Sequence, residues 1–211
     1  MKEITTEQTT DMLLAVCKKI IDSKQLLTET DSKIGDGDHG IGMEVGMKHA
    51  SAALMQKRPF TTVNNVFATT GMEMIGSMGG ASGVIFGTLF LTGAKQSPEQ
   101  KTLNGALLAG MMRISLDSIK KRGGASVGDK TMVDALEPAV LAIEKNKNKE
   151  LTVILEEAEK AAAEGVENTK KYVAKYGRAK SLKERAVGFQ DAGATSVFLI
   201  FQAMNEYTRS L

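Results

Sequence analysis

The sequence predicts an all-α protein, about eight helices packed antiparallel as a bundle or barrel. Three observations predict it. Apolar residues recur at helical spacing through most of the 211 residues. No two alternating apolar segments are joined by a hairpin turn. The glycines gather in four breaks (GDGDHGIG, GSMGGASG, KRGGASVGDK and GRAKSLKERAVGFQDAG), and each leads into a helical pattern.

The elements follow in order. Leu13, Val16, Cys17, Ile20 and Ile21 make the first apolar face. Met43, Met47, Ala50 and Leu54 make the next, then Val63, Val66, Phe67 and Met74. Leu103, Leu107, Met111 and Ile114 form another, and Met132, Leu136, Val140 and Ile143 another. Residues 150–176 are rich in Ala, Glu and Lys, strong helix formers, with Leu151, Leu155, Ala158, Ala162 and Val166 on one side. The last segment, ATSVFLIFQAMNEYTRSL, predicts a helix by its length and its Val197, Ile200, Phe201, Met204 spacing, with Asp191 at its start. In an up-and-down arrangement, glycine breaks far apart in sequence converge at one end.

Composition narrows the classes. The length suits one domain, 1–211, with a sizeable core. Net charge is +2 and the basic residues are scattered, so nucleic acid is not an expected partner. One cysteine, Cys17, excludes an internal disulfide and a cysteine-based zinc site. MKEITTEQTT is unlike a signal peptide, and VFLIF is too short to span a bilayer, so the expectation is a cytoplasmic protein without a membrane partner. Tryptophan is absent and methionine numbers 12, so small and flexible side chains must fill the core.

DSKIGDGDHGIGM, residues 31–43, carries the chemistry. Its literal G-x-G-x-x-G lacks the preceding strand of a dinucleotide fold, and its acids would repel a bare pyrophosphate. An EF-hand starting at Asp36 fails, because Gly40 and Met47 stand where ligands are needed. A hard-cation site remains. Two carboxylates about 5 Å apart repel by roughly 3 kcal/mol at an effective dielectric of about 20, which a cation relieves. Gly35 and Gly37 would let the chain fold back so that Asp31, Asp36 and Asp38 converge. His39 suits a phosphate hydrogen bond or a helix cap better than magnesium. A solvated turn is the other reading of the same residues.

The other breaks offer anion contacts. Gly79, Gly80, Ala81, Ser82 and Gly83 open a helix whose free N–H groups favour an anion, although small residues also serve close helix packing. Gly123 and Gly124 stop one helix and Thr131 begins another; Met132 is a core residue or a contact for an aromatic base. Arg178 and Arg185 lie in a long loop without apolar period, where an arginine can fork onto phosphate. Arg185 suits a solvated surface, Asp191 a helix cap, and Gly193 a tight turn. A magnesium–phosphate site at one end of a helical domain, with Mg-nucleotide as occupant, is the reading these residues support.

IGDGDHGIGM, GGASGVIFGT, GDKTMVDAL and ERAVGFQDAGATS, in this order, resemble the nucleotide-binding L subunits of bacterial dihydroxyacetone kinases. The resemblance covers essentially the whole chain. It implies an antiparallel eight-helix barrel with the nucleotide–magnesium site in the loops at one end. It implies two Mg²⁺ on Asp31, Asp36 and Asp38, bridging the phosphates of ADP or ATP. Nucleotide contacts carry over to His39, Gly40, Ile41 and Gly42, to Ala81 and Ser82, to Gly123 and Met132 around the base, and to Arg178, Asp191, Ala192 and Gly193. Two departures stand out. The family often has Asn at position 42 and a DPG turn where this chain has Asp191-Ala192-Gly193.

The resemblance also implies partners. In the family a histidine of a separate K subunit holds dihydroxyacetone covalently; this chain has only His39 and His49 and nothing like that substrate domain. A free-standing L chain implies the phosphotransferase-system form used in glycerol metabolism, in which a phosphohistidine protein, the M subunit, regenerates ATP on the chain. Free ATP as co-substrate, another short keto-sugar as acceptor, and a nucleotide-sensing role on a transcription regulator are the alternatives. The GDGDHG form argues against the related fatty-acid kinases.

Overall fold

A computed structural model describes all residues, 1–211. It contains α1 (Thr6–Asp22), α2 (Lys24–Ser32), α3 (His39–Lys57), α4 (Val63–Ser77), α5 (Gly80–Gln96), α6 (Gly105–Gly123), α7 (Val133–Asn146), α8 (Leu151–Thr169) and α9 (Ala192–Arg209). Eight of these are long; α2 is a short ninth packed beside α3. The long helices contact one another in the order α1, α3, α4, α5, α6, α7, α8, α9 and back to α1. That cyclic order closes a barrel, the all-α class expected, and every helix turns its apolar stripe to the shared core.

Local chemistry sets the helix starts. Thr5 and Gln8 form a reciprocal capping box at α1, Thr62 caps α4 through Asn65 N–H, and Asn104 caps α6 through Leu107 N–H. Gly124, at φ 73°, ends α6 in the left-handed conformation. The core runs from Ile4 to Met204 and draws on every helix. Nine methionines fill it around Phe67, Phe90 and Phe201: Met12, Met43, Met47, Met74, Met78, Met111, Met112, Met132 and Met204.

Cys17 is fully buried in this core, and burial pushes its thiol up to about 12. Its folded pKa is raised, so the native state holds the proton that the unfolded chain releases. This contribution to stability is present below the unfolded value of about 8.5 and is lost as pH rises toward 12. We expect Cys17 to resist a thiol reagent at pH 8 in the native protein and to react at once in denaturant. Rapid labelling of folded protein would contradict this burial.

The end of the barrel away from the glycine breaks is tied together by backbone. β1 (Glu3–Thr5) pairs antiparallel with β2 (Thr102–Asn104), with Ile4 opposite Leu103. Thr6 N–H donates to Lys101 O at 3.1 Å, Val63 N–H to Gln100 O at 2.8 Å and Leu151 N–H to Met1 O at 2.8 Å. Asn64 donates to the carbonyls of Ala94, Ser97 and Pro98 and accepts from Gln100 N–H at 3.0 Å.

Three details depart from the sequence expectation. Leu103 belongs to β2, and α6 buries Leu107, Leu108, Met111, Met112 and Leu116 while Ile114 is half-exposed. α8 ends at Thr169 rather than near Tyr176, because Lys130 takes the Thr169 carbonyl and the chain turns away. Residues 170–191, expected to include a long loop, form an excursion with a 3-10 segment at Arg178–Ala186 kinked at Lys183. Its Ala174, Ala179 and Ala186 make a small apolar cluster with Ile34. No helix is long and apolar enough to cross a membrane.

Candidate functional site

The breaks at residues 33–38, 78–79, 124–132 and 170–191 converge on one cavity of about 950 Å³. Helices α3, α5, α7 and α9 all begin there. Residues at those starts line it: His39, Ile41 and Gly42; Gly80, Ala81 and Ser82; Lys130, Thr131 and Met132 just before α7; Ala192 and Gly193. Four helix N-termini facing one space favour a negatively charged occupant. No side chain caps α5, which leaves its first N–H groups available, whereas the first N–H of α3, that of His39, is directed to Asp31.

The aspartates gather at one of these ends, with Asp38 the N-cap of α3. One carboxylate oxygen from each of Asp31, Asp36 and Asp38 lies within 4.8 Å of the others. The fold-back follows from the glycines. Gly37 takes φ 76° and donates its N–H to Asp31 Oδ2 at 2.9 Å, and His39 N–H reaches the same oxygen at 3.4 Å. A side chain at Gly35 would collide with the Asp31 carboxylate. Desolvation, then the neighbouring Asp36, push Asp38 above the usual carboxylate range. An all-oxygen, like-charged cluster open to a cavity fits a hard divalent cation, which takes carboxylates alongside phosphate oxygens.

Arg178, on the excursion, reaches in with Nε 2.8 Å from Asp36 Oδ2. Its side chain is otherwise largely exposed, so the guanidinium can turn to a second anion in the cavity. Asp191 caps α9, accepting Ala194 N–H at 2.7 Å; desolvation, with Asp134 nearby, pushes its carboxyl up to about 7. Met132 is buried and flanks Gly193. At Gly42 a Cβ would meet only Met78 Cε at 3.8 Å, so a side chain fits there.

The structure assembles most of the expected residues, His39 among them, and leaves Gly40 and Gly123 outside the lining. His39 is buried: its Nε2 and Ser196 Oγ are 2.8 Å apart, and its ring packs on Phe86. Burial pushes the imidazole below its usual range, against the pull of Asp31. Its ring therefore joins α3 to α9 instead of capping a helix. Gly40 lies outside the lining; a Cβ there would strike Thr28 Oγ1 and the Lys24 carbonyl, so it permits α3 to approach α2. Gly123 stands behind the wall, where a Cβ would meet Ile85 at 3.7 Å. As cavity residues Lys130, Thr131, Tyr176 and Ile34 escaped the sequence reading, which gave Thr131 only as a helix start. The polar run GDKT was the one signal for the first two.

The DAK2 domain matches residues 33–206. The chain belongs to the DAK2 domain family. A Listeria innocua protein named PEP-dependent dihydroxyacetone kinase 1, ADP-binding subunit DhaL, is 38% identical over 187 residues, covering 89% of each chain. The corresponding Escherichia coli subunit is 36% identical over 185 residues, 85% of this chain and 86% of that one. The crystal structure of the C. freundii dihydroxyacetone kinase in complex with AMP-PNP and Mg²⁺ superimposes with a TM-score of 0.74 at 25% identity. The match takes in 98% of this chain and only 35% of that kinase, so the DAK2 fold is about a third of the longer protein.

Proposed function

We propose that this chain is the ADP/ATP-binding subunit of a dihydroxyacetone kinase, with residues 1–211 as one nucleotide-binding domain acting in the cytoplasm. The observation that carries the reading is the trio Asp31, Asp36 and Asp38 sharing one cavity with the N-termini of four helices. The names of the Listeria and E. coli relatives support it, as does the complex of the C. freundii kinase with AMP-PNP and Mg²⁺.

In this reading the three aspartates hold two Mg²⁺, which supply the positive charge that nucleotide phosphates need during phosphoryl transfer. The chain does the positioning. Ala81 and Ser82 present backbone N–H groups to phosphate, Ile41 and Gly42 floor the cavity, Met132 borders the base with Gly123 behind the wall, and Arg178 closes over the phosphates. Asp191, Ala192 and Gly193 complete the wall. A phosphohistidine on an M subunit gives its phosphoryl group to ADP, and the resulting ATP passes it to a hydroxyl of dihydroxyacetone held by a K subunit.

The test is direct. The purified chain should carry extractable ADP or ATP, or bind Mg-ADP, and EDTA should abolish the binding. A chain that neither retains nor binds nucleotide in magnesium would end this reading. A second acceptor has a specific motive: a D-erythrulose kinase of Mycolicibacterium smegmatis is 32% identical across 88% of this chain, which spans 32% of that protein. Pairing the chain with K subunits for each ketose, and supplying either phosphohistidine protein or free ATP, separates these cases. A nucleotide-dependent complex with a transcription regulator would be a further role.

A further inference from the structure

Lys130 stands out among the cavity residues. It is 2% exposed, yet its ammonium meets no carboxylate in a direct ion pair. Nζ donates instead to two backbone carbonyls, Thr169 O at 2.6 Å and Phe189 O at 2.5 Å. Its backbone takes φ 61°, a left-handed conformation that a side chain with a Cβ adopts only when its surroundings enforce it.

Those two carbonyls are the feet of the excursion. Thr169 ends α8, and Phe189 precedes the Asp191 cap of α9. Everything between them, including Tyr176, Gly177, Arg178 and Ala179 on the cavity wall, leaves and returns at the Lys130 ammonium. The same base is closed by Gly188 N–H on Lys170 O at 2.7 Å and Asp191 N–H on Thr169 Oγ1 at 3.0 Å. The loop before α7 supplies further attachments, beside the Arg178–Asp36 pair and the apolar cluster with Ile34. Lys175 N–H donates to Asp129 O, Lys175 Nζ pairs with Asp129 at 2.7 Å, and Tyr176 Oη donates to Gly124 O.

We propose that Lys130 is a positioning residue, a clasp that draws the feet of the 170–188 excursion together and so holds Arg178 over the anion site. It acts through the excursion, without needing to touch the ligand. Its effect on binding rests on the nucleotide reading above. Ligand affinity falls in proportion to the fraction of molecules whose excursion is closed, so a clasp that keeps it closed sets the apparent Kd.

The test uses the full chain with Mg-ADP as probe and four proteins: wild type, Lys130→Met, Arg178→Ala and the double variant. Lys130→Met removes the donors while keeping an unbranched apolar stem. It should raise the Kd about tenfold, corresponding to a closed fraction of about a tenth. In the Arg178→Ala background it should change Kd by less than about twofold, because both substitutions remove one interaction. Full multiplication of the two losses would show that Lys130 acts on the fold or the ligand directly, and would overturn the proposal. Amide exchange of the ligand-free proteins supplies a readout independent of nucleotide. The Gly188 and Asp191 amides should be protected in wild type and exchange at least about tenfold faster in Lys130→Met. If Lys130→Met does not fold, the wild-type amides still decide: exchange there at free-peptide rates sinks the clasp. If wild type fails to bind Mg-ADP, the nucleotide reading falls, while the exchange result tells whether the clasp exists.

Discussion

Asp36→Ala and Asp38→Ala are each expected to weaken Mg-ADP binding by about 100-fold or more, the equivalent of roughly 3 kcal/mol. Removing one carboxylate leaves a divalent cation short of ligands at the place where nucleotide phosphates need it. The ligand-free proteins should behave in the opposite sense. Asp38 sits near two other acids that push its carboxyl up, so its loss relieves repulsion and the metal-free melting temperature should hold or rise. Asp36→Ala should gain less, because it also frees Arg178 from its 2.8 Å pair. Asp31 differs again: it accepts the N–H groups of Gly37 and His39, so alanine there loses loop structure as well as charge. Calorimetric titration with Mg-ADP, beside thermal melts in EDTA, checks both halves. Wild-type affinity in both variants would remove the metal assignment.

Gly93→Ala is expected to give the largest loss of stability among conservative changes. In α5 this glycine lies so close to α6 that a Cβ would overlap the Met111 carbonyl oxygen and crowd its carbonyl carbon and Cα. These are backbone atoms, which cannot turn aside. Gly93 N–H also donates to Ser115 Oγ at 3.0 Å, a bond that depends on the same approach. Forcing the two helices apart should cost about 3 kcal/mol, lowering the melting temperature by roughly 6–12 °C for a chain of this size. Gly110→Ala is the control. It lies within α6 with nothing inside 4 Å of the new Cβ, so it should stabilise by about 0.5–1 kcal/mol. A Gly93→Ala protein that melts no lower than wild type would show that α5 and α6 are not in this register.

What the sequence made legible was local. The periodic faces of α1, α3, α4, α7 and α9 depend on residues a turn apart, and those positions are buried apart from the half-buried Ile21. The aspartate trio was legible because its glycines and acids lie within eight residues of one another, from Asp31 to Asp38. What escaped joins distant positions. The β1–β2 pair gives no hairpin signal because its strands lie at opposite ends of five intervening helices, α1 to α5. The end of α8 was misplaced because helix propensity continues past Thr169, whereas Lys130, from another loop, claims that carbonyl. His39 and Gly40 sit in the same motif as the aspartates, yet Ser196 and α2 decide what they do. No spacing rule reports those neighbours.

The backbone stitching of residues 1–6, 63–64, 94–104 and 147–151 has a mechanical consequence. It fastens one end of a cylinder by strand pairing, whereas the other end is held by loops that lean on Lys130, Asp129 and Asp36, so stiffness declines along the axis. A load applied by a tightly gripped ligand will bend the helices about the clamped end, with the largest travel where the loops are longest. Amino-acid changes at the compliant end can reshape the grip without altering the cylinder's circumference. An equal change at the clamped end would be felt by every helix at once.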